Sequence, residues 1–379
     1  MDVKWRKNIL FTLIAGPLIA IATLIFCVLT IEGVLRIFHV VPESDYRPIY
    51  DMKEPYHLRP GSSTIEKQPE FTTEIRTNSE GFRDSEFDVS RNQGVERIAV
   101  VGDSFAFGTG VRMGGRFSEY LEKELNAEGI KTEVFNFGLP ASDTEDQVEV
   151  LKRYVLKYKP DVVLLVFYVG NDITDNAAES MLAKKPAVKT RTIKNRLWTA
   201  VYRSRIYKLT MSRVAASPVL GRRYNEFKTT RRLGEVGRQI VIFDRVAGAS
   251  DAMWRKTRAA LASFSRTASA AGAKTIVALA PTRLQYDDNL WKALVASQKL
   301  NEKNFSTDLP NEILGKYLGS DLHIAVIDPL RDFRDAEKKG AKLYYPINGH
   351  WTEEGHRLFS KKIALFLANT DKQNREGGQ

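Results

Sequence analysis

The longest stretch of hydrophobic residues without a charge extends from Ile9 to Ile31, near the start of the chain. Its 23 residues are enough for a helix that crosses the hydrocarbon core of a bilayer, which needs about 20. Three basic residues precede it: Lys4, Arg6 and Lys7. By the positive-inside rule the N-terminus then stays in the cytoplasm and the rest of the chain lies outside. We therefore predict a cytoplasmic tail over residues 1–8 and a transmembrane anchor over residues 9–38.

The same stretch has an alternative interpretation as a cleaved signal peptide. Ala20 and Ala22 form the small-x-small pattern of a cleavage site, but the apolar stretch continues for nine residues beyond Ala22. This continuation favours a retained anchor. Glu32 and Arg36 mark its outer end, and their spacing of four residues allows an ion pair one helical turn apart.

From about residue 93 the pattern alternates between strand and helix periods. The predicted strands are 97–102, 133–136, 161–168, 274–280 and 322–328, and the predicted helices lie near 115–127, 144–158, 251–271 and 353–369. The strand over 161–168 is apolar on both faces and therefore belongs at the centre of a sheet covered by helices. Such alternation predicts a three-layer α/β/α domain with a mostly parallel sheet over residues 93–370. A polar tail, residues 371–379, follows it.

Residues 39–92, between the anchor and this domain, have no such alternation. Five prolines interrupt them, which predicts a juxtamembrane connector with short strands. One strand is expected over Phe71–Arg76, where polar and apolar residues alternate. Asn78–Arg83 has the composition of a turn followed by an aromatic anchor, Phe82, and we expect this anchor to pack the connector against the main domain.

Residues 175–250 interrupt the alternation with a basic insertion. From Lys184 to Arg238, 16 lysine or arginine residues face only two acidic ones, in a chain of net charge +11. Apolar residues recur there at helical spacing, which predicts a basic amphipathic helix: Leu197, Trp198, Val201, Tyr202, Ile206 and Leu209. We expect it to cap the main domain. A surface for anionic lipid headgroups or an anionic polysaccharide is the second interpretation, and the two are compatible.

Composition argues against several kinds of site. Cys27 is the one cysteine, which excludes an internal disulfide framework and a cysteine-based zinc site. Of the five histidines only His350 and His356 are close in sequence, and no ligands surround them at metal-binding spacing. We predict no metal and no other cofactor. The predicted extracytoplasmic location also argues against nucleic acid as a partner.

Ser104 is the first candidate for chemistry, because it follows the predicted strand 97–102, where open α/β sheets place their ligands. A serine hydroxyl is a poor nucleophile and needs an adjacent base. The turn into the next helix leaves backbone N–H groups unpaired, and these can stabilise a developing oxyanion. Taken alone, Asp103 and Ser104 are weak evidence for catalysis, because ordinary helix capping explains residues of these types at this position.

Gly138 and Asn171 follow the next two predicted strands. Because parallel strands end at the same edge of a sheet, both residues should cluster with Ser104. The Gly138 N–H and the Asn171 amide can donate to a substrate oxygen, although both residue types also simply favour turns. His350 precedes the last helix and is the candidate general base. We expect Trp351 to anchor its loop by packing.

Four sequence blocks of the chain resemble those of the SGNH (GDSL-type) hydrolases, in the same order: Gly102-Asp103-Ser104-Phe105, Gly138, Gly170-Asn171-Asp172 and His350. The resemblance covers residues 93–370 apart from the basic insertion. It implies a flavodoxin-like α/β/α fold, with Ser104 as nucleophile and His350 as base. It also implies an oxyanion hole made by the N–H groups of Ser104 and Gly138 and by the Asn171 side chain. The anchor and the His-Trp pair are similar to envelope members, including alginate O-acetyltransferase-like proteins.

One position departs from the family pattern. The family usually places an aspartate two or three residues before the histidine, where this chain has Asn348 and Ile347. The Asn348 carbonyl can accept the Nδ1 proton of His350 and hold the ring, but it cannot supply a negative charge for an imidazolium. Asp328 is another acid that could approach the histidine.

These features predict a serine esterase that acts through an acyl-enzyme on O-acyl groups, foremost O-acetyl groups, of an envelope carbohydrate. The expected location is the bacterial inner membrane, with a single membrane-spanning helix and a periplasmic catalytic domain. Two alternatives remain open. One is an O-acetyltransferase that works with a membrane partner supplying the acyl group. The other is a catalytically degenerate module that binds a glycan or an assembly partner.

Overall fold

The computed structural model describes residues 3–38, 54–68, 70–176, 201, 204–216, 237–245, 250–346 and 348–377. The chain divides into two units. The smaller unit consists of Met1–Glu43 with Val188–Phe227, and the larger consists of Ser44–Ala187 with Lys228–Gln379.

Seven strands lie within the described residues: β1 (Ser63–Lys67), β2 (Thr72–Arg76), β3 (Glu96–Gly102), β4 (Thr132–Asn136), β5 (Val162–Tyr168), β6 (Lys274–Ala280) and β7 (Ala325–Ile327). β1 and β2 form an antiparallel hairpin in which Ser63 is opposite Arg76. The other five strands form a parallel sheet in the order β4-β3-β5-β6-β7. Every residue of β5 is buried, as its apolar pattern predicts for a central strand.

The helices alternate with these strands: α1 (Val3–Ile37), α2 (Ser104–Phe107), α3 (Phe117–Ala127), α4 (Thr144–Val150), α5 (Asp172–Asp175), α6 (Arg205–Ala216), α7 (Ser250–Ala270), α8 (Asp288–Ser297), α9 (Leu309–Lys316), α10 (Leu330–Lys338) and α11 (Glu353–Gly377). Helical turns continue α4 as far as Tyr158, as predicted for 144–158. The last helix extends beyond its predicted end, so that most of the expected polar tail is helical.

Successive residues of each central strand enter hydrophobic cores on opposite faces of the sheet. Val163 and Leu165 join a core that includes residues of α4, α7, α8 and α9. Leu164 and Val166 join a core that includes residues of α3, α10 and α11. Fully burying one such aliphatic side chain contributes roughly 1.5–3 kcal/mol. This arrangement confirms the predicted three-layer α/β/α fold with a parallel sheet, although the sequence pattern did not reveal α8, α9 and α10.

The described part of the connector, residues 54–68 and 70–92, belongs to the larger unit. Its predicted strand is present as β2, and Phe82 is buried as expected for an anchor. The neighbouring Arg83 is also buried, and its guanidinium donates to the carbonyl oxygens of Gly108 (2.7 Å), Val111 (2.7 Å) and Glu74 (3.1 Å). Arg83 therefore joins the hairpin to the loop that follows α2.

In the smaller unit, α1 includes a span, Ala15–Ile37, that is long and apolar enough to cross a membrane. The predicted ion pair between Glu32 and Arg36 is present at 2.8 Å. Glu32 also accepts hydrogen bonds from the backbone N–H groups of Arg205 (2.9 Å) and Ile206 (3.1 Å). It thereby caps α6, which contains Ile206 and Leu209 of the predicted amphipathic helix; Val201 lies outside α6. Leu197, Trp198 and Tyr202 lie outside the described residues.

Candidate active site

Ser104 is the first residue of α2, directly after the buried strand β3. Asp103 caps this short helix by accepting the Phe105 N–H at 2.8 Å. The Ser104 N–H lies in the first turn, where a helix has no carbonyl to receive it, and it donates to no other described residue. The capping role of Asp103 and the partly buried position of Ser104 at the start of the helix are therefore compatible, and both follow from the tight turn between strand and helix.

The side chains of Ser104, His350 and Asn348 form a hydrogen-bonded chain. His350 Nε2 is 2.8 Å from Ser104 Oγ, and His350 Nδ1 is 2.6 Å from Asn348 Oδ1. A carbonyl oxygen only accepts, so Nδ1 carries the ring proton and Nε2 is left to accept the serine proton. The three residues predicted from the sequence are thus brought together across 246 positions of chain, in the arrangement that general-base activation of a serine requires.

Aromatic packing and a tight turn hold the histidine loop in place. The His350 carbonyl accepts the Tyr345 N–H at 2.9 Å, and Gly349 adopts the left-handed conformation, with φ of 83°, that closes the turn. The His350 ring lies 5.1 Å from the ring of Phe105. Trp351 is fully buried between Phe105 and residues of α10 and α11. Its position matches the expected anchoring role.

The two predicted oxyanion donors lie on either side of Ser104, because β3 is between β4 and β5. Asn171 Nδ2 donates one hydrogen to Asp175 Oδ2 at 2.7 Å, which leaves its second amide hydrogen for another acceptor. The Gly138 N–H instead donates to Asn136 Oδ1 at 2.8 Å. A Cβ at Gly138 would be 2.3 Å from the Phe107 nitrogen, so this glycine is required by its close packing against α2.

The same β4 turn contains an N–H group that sequence reasoning missed. Ala141 has φ of 66°, a left-handed conformation that is uncommon for alanine, and its N–H donates to no other described residue. The turn is fixed close to Ser104, because Leu139 donates its N–H to the carbonyl oxygen of Gly102 at 2.9 Å. Alanine carries no turn signal, so the sequence offered only the nearby Pro140 as a hint.

Residues 98–363 match the family described as GDSL-like lipase/acylhydrolase. The chain belongs to this family. It is therefore an enzyme of the serine hydrolase type, and the predicted SGNH resemblance is confirmed.

Solved structures of similar fold have low sequence identity with this hydrolase. An acetyl xylan esterase, AlAXEase, is 15% identical, with 70% of this chain and 97% of that chain covered and a TM-score of 0.39. TesA is 14% identical, with 72% of this chain and 99% of that chain covered and a TM-score of 0.38. Axe2, an acetylxylan esterase from Geobacillus stearothermophilus, is 13% identical, with 71% of this chain and 92% of that chain covered and a TM-score of 0.36. At these scores the similarities carry no argument about substrate. None of the curated proteins compared with the chain matches it.

Two buried acids, Asp103 and Asp172, adjoin Ser104 and Asn171 in the sequence. Asp103 is fully buried, and burial raises its pKa to about 7. Burial also raises the pKa of Asp172, and the nearby charge of Asp103 raises it further. Asp172 Oδ2 accepts the Tyr168 N–H at 2.9 Å, which fixes the start of the Asn171 turn. Both carboxyl groups thus hold backbone N–H groups at the ends of their strands, in keeping with a structural role for both residues.

Asp328, the other acid considered for the histidine, is engaged elsewhere in this hydrolase. Its Oδ1 accepts the Leu330 N–H at 2.9 Å and so caps α10. No hydrogen bond joins it to His350 within the described residues. Asn348 is therefore the side chain that contacts Nδ1 of the histidine.

Proposed function

We propose that this chain is a serine esterase that removes O-acetyl groups from an envelope carbohydrate through an acyl-enzyme. The observation that carries the proposal is the continuous chain of short contacts from Ser104 Oγ through the His350 ring to Asn348 Oδ1, at 2.8 and 2.6 Å. Binding a glycan without catalysis does not require these three side chains to be hydrogen-bonded to one another in this order.

In the proposed reaction Ser104 Oγ attacks the ester carbonyl carbon while its proton passes to His350 Nε2. The tetrahedral intermediate then expels the sugar oxygen, which takes the proton from the imidazolium. Water repeats the sequence on the acyl-enzyme and releases acetate. Asn348 keeps the proton on Nδ1 throughout, so that Nε2 always faces the reacting groups.

The oxyanion is proposed to accept hydrogen bonds from the N–H groups of Ser104 and Ala141 and from the Asn171 amide. Ala141 replaces Gly138 in this assignment because the Gly138 N–H is already bound to Asn136. Removing one donor of this kind costs roughly 10²–10³ in kcat. The predicted role of Gly138 thus becomes one of packing.

The choice of an acetyl group and an envelope carbohydrate rests on two features of the sequence. One is the resemblance to envelope members that add or remove acetyl groups on polysaccharides. The other is the apolar span at the N-terminus, which we propose is a retained inner-membrane anchor with the hydrolase domain in the periplasm. Hydrolysis is preferred to transfer, because the single candidate span found within the described residues offers no path for an acyl donor.

The basic insertion is proposed to contact anionic lipid headgroups. The support is that Glu32, at the outer end of the span, caps α6, and that α6 exposes Arg213. A fluorophore on Arg213→Cys, in a Cys27→Ser background, would be quenched by headgroup spin-labelled lipid in nanodiscs containing phosphatidylglycerol. Absence of quenching would refute this placement.

Hydrolysis of p-nitrophenyl acetate by the full chain in detergent tests the enzymatic proposal. Ser104→Ala should abolish turnover and labelling by a serine-directed fluorophosphonate, and mass spectrometry should place the label on Ser104 in the parent protein. Ser269→Ala, an exposed serine remote in sequence, is the control. A parent protein that neither labels nor turns over ester would support a binding module. Acetyl transfer to an added sugar in preference to water would support the transferase.

A further inference from the structure

The N-terminal hairpin contributes a carboxylate to the histidine loop. Glu70, in the turn between β1 and β2, accepts the backbone N–H of Asn348 through Oε2 at 2.6 Å. Its neighbour Phe71 packs against the ring of Tyr345, with the ring centroids 4.9 Å apart. The Tyr345 hydroxyl in turn donates to the Gly110 carbonyl at 3.2 Å. The turn therefore contacts the residue whose side chain holds the catalytic ring.

This contact matters because Asn348 lacks the charge that an aspartate would bring. When His350 takes the serine proton it becomes an imidazolium, which a nearby carboxylate stabilises and a neutral amide does not. A hydrogen bond from an N–H group to an ionised carboxylate is about twice as strong as a neutral one and is short, as observed. Glu70 thus brings a carboxylate into contact with the backbone of the residue whose side chain holds the ring.

We propose that Glu70 is a positioning residue of the hydrolase: it fixes Asn348 against His350 Nδ1 and supplies the charge that Asn348 lacks. The inference deepens the proposed esterase function and rests on it. It assigns the hairpin a part in catalysis, where the sequence suggested only a connector.

Two variants separate the charge of Glu70 from a purely structural role of its side chain. The hairpin is also held by the Arg83 guanidinium and by Phe71, so Glu70→Gln should fold. The amide of this variant can still accept the Asn348 N–H, while its charge is gone. Glu74→Gln is the matched control, because Glu74 lies in the same hairpin but is exposed and pairs with Arg76 at 2.7 Å.

Other titratable and charged groups surround the histidine loop and are unchanged in both variants: Tyr344, Tyr345, Glu66, Asp103, Arg83, Arg116, Glu353 and His356. A difference between Glu70→Gln and the parent protein therefore reports Glu70 itself.

The first test is the pH dependence of kcat/KM for p-nitrophenyl acetate, with the full chain in detergent. Loss of the negative charge should move the acidic limb to lower pH by roughly half a unit to one unit. It should also lower kcat several-fold with little change in KM, and Glu74→Gln should do neither. In an Asn348→Asp background the charge is present beside the ring, so the effect of Glu70→Gln on kcat should shrink to less than about twofold.

The second test does not depend on turnover. NMR of the ¹³C-histidine-labelled full chain follows the His350 imidazole titration, with the signal assigned by its loss in His350→Gln. The titration midpoint should fall in Glu70→Gln and stay in place in Glu74→Gln. An unchanged midpoint, or a lowered melting temperature with no shift in titration, would overturn the role of Glu70. An inactive parent protein whose midpoint still shifts would instead refute the esterase and leave the electrostatic coupling established.

Discussion

His356, the second histidine of the C-terminal region, should make the fold sensitive to acid. It lies on α11 and is 1% exposed. Its Nδ1 accepts the Phe117 N–H at 3.3 Å, and its ring is parallel to that of Phe117. Burial, reinforced by the positive charges of Arg116 and Arg83, lowers its pKa from 6.5 to about 3. The ring is therefore neutral in the folded protein over most of the accessible pH range.

The direction in which pH changes the free energy of unfolding follows from which state, folded or unfolded, binds the proton of His356 more tightly. Below pH 6.5 the unfolded chain protonates this histidine, whereas the folded chain does so only near pH 3. The contribution of the neutral His356 ring to the free energy of unfolding is therefore fully present above the pKa of the unfolded state. It is lost as the pH falls towards the pKa of the folded state. At pH 4.5, two units below the unfolded value, the loss amounts to roughly 2.7 kcal/mol of unfolding free energy.

Urea unfolding of the full chain in detergent at pH 7.0 and pH 4.5 measures this loss. His356→Asn removes the titration while placing an oxygen close to the position of Nδ1, so it should lose about 2–3 kcal/mol less than the parent protein between the two pH values. His323→Asn is the control, since His323 is exposed and its φ of 53° suits asparagine. Equal losses in the parent protein and in His356→Asn would refute the reasoning, whatever the absolute stabilities.

Three further changes have defined outcomes. Asn348→Asp should raise kcat for p-nitrophenyl acetate at least tenfold, because a carboxylate stabilises the imidazolium directly; an equal or lower rate would show that this site is adapted to the amide. Gly138→Ala should lower the unfolding free energy by about 3 kcal/mol, because its Cβ would lie 2.3 Å from the Phe107 nitrogen; unchanged urea unfolding would contradict that steric account. Ala141→Gly should raise it by about 1 kcal/mol by relieving the left-handed backbone at φ of 66°, and a loss of stability would count against strain there.

The parts of the fold and the site that could be predicted are those encoded locally. β5 is apolar along its whole length, and Ser104 directly follows a strand of the same kind, so both the sheet and the edge that holds the serine follow from neighbouring residues. His350 and Asn348 were identified because their spacing of two resembles a known pattern. The contact of His350 with Ser104 is then a consequence of the last helix returning to the sheet.

The remaining features depend on contacts that no local pattern encodes. Glu70 meets Asn348 across 278 positions of chain, and a lone glutamate in a turn looks like any solvated surface charge. The Ala141 N–H is left unpaired by the backbone angles of its turn, whereas Gly138, the more conspicuous residue, gives its N–H to Asn136. Residue type predicted where a donor could be, and only the path of the backbone decided which one is available.

The buried guanidinium of Arg83 has a practical consequence for shortening this enzyme. Three carbonyl oxygens behind the nucleophile, those of Phe107, Gly108 and Val111, accept its hydrogens. A truncated chain that starts where the family match begins, at residue 98, would lose Arg83 and with it a donor to all three oxygens. A catalytic fragment that keeps these hydrogen bonds therefore begins before Arg83, about fifteen residues upstream of the start of the family match.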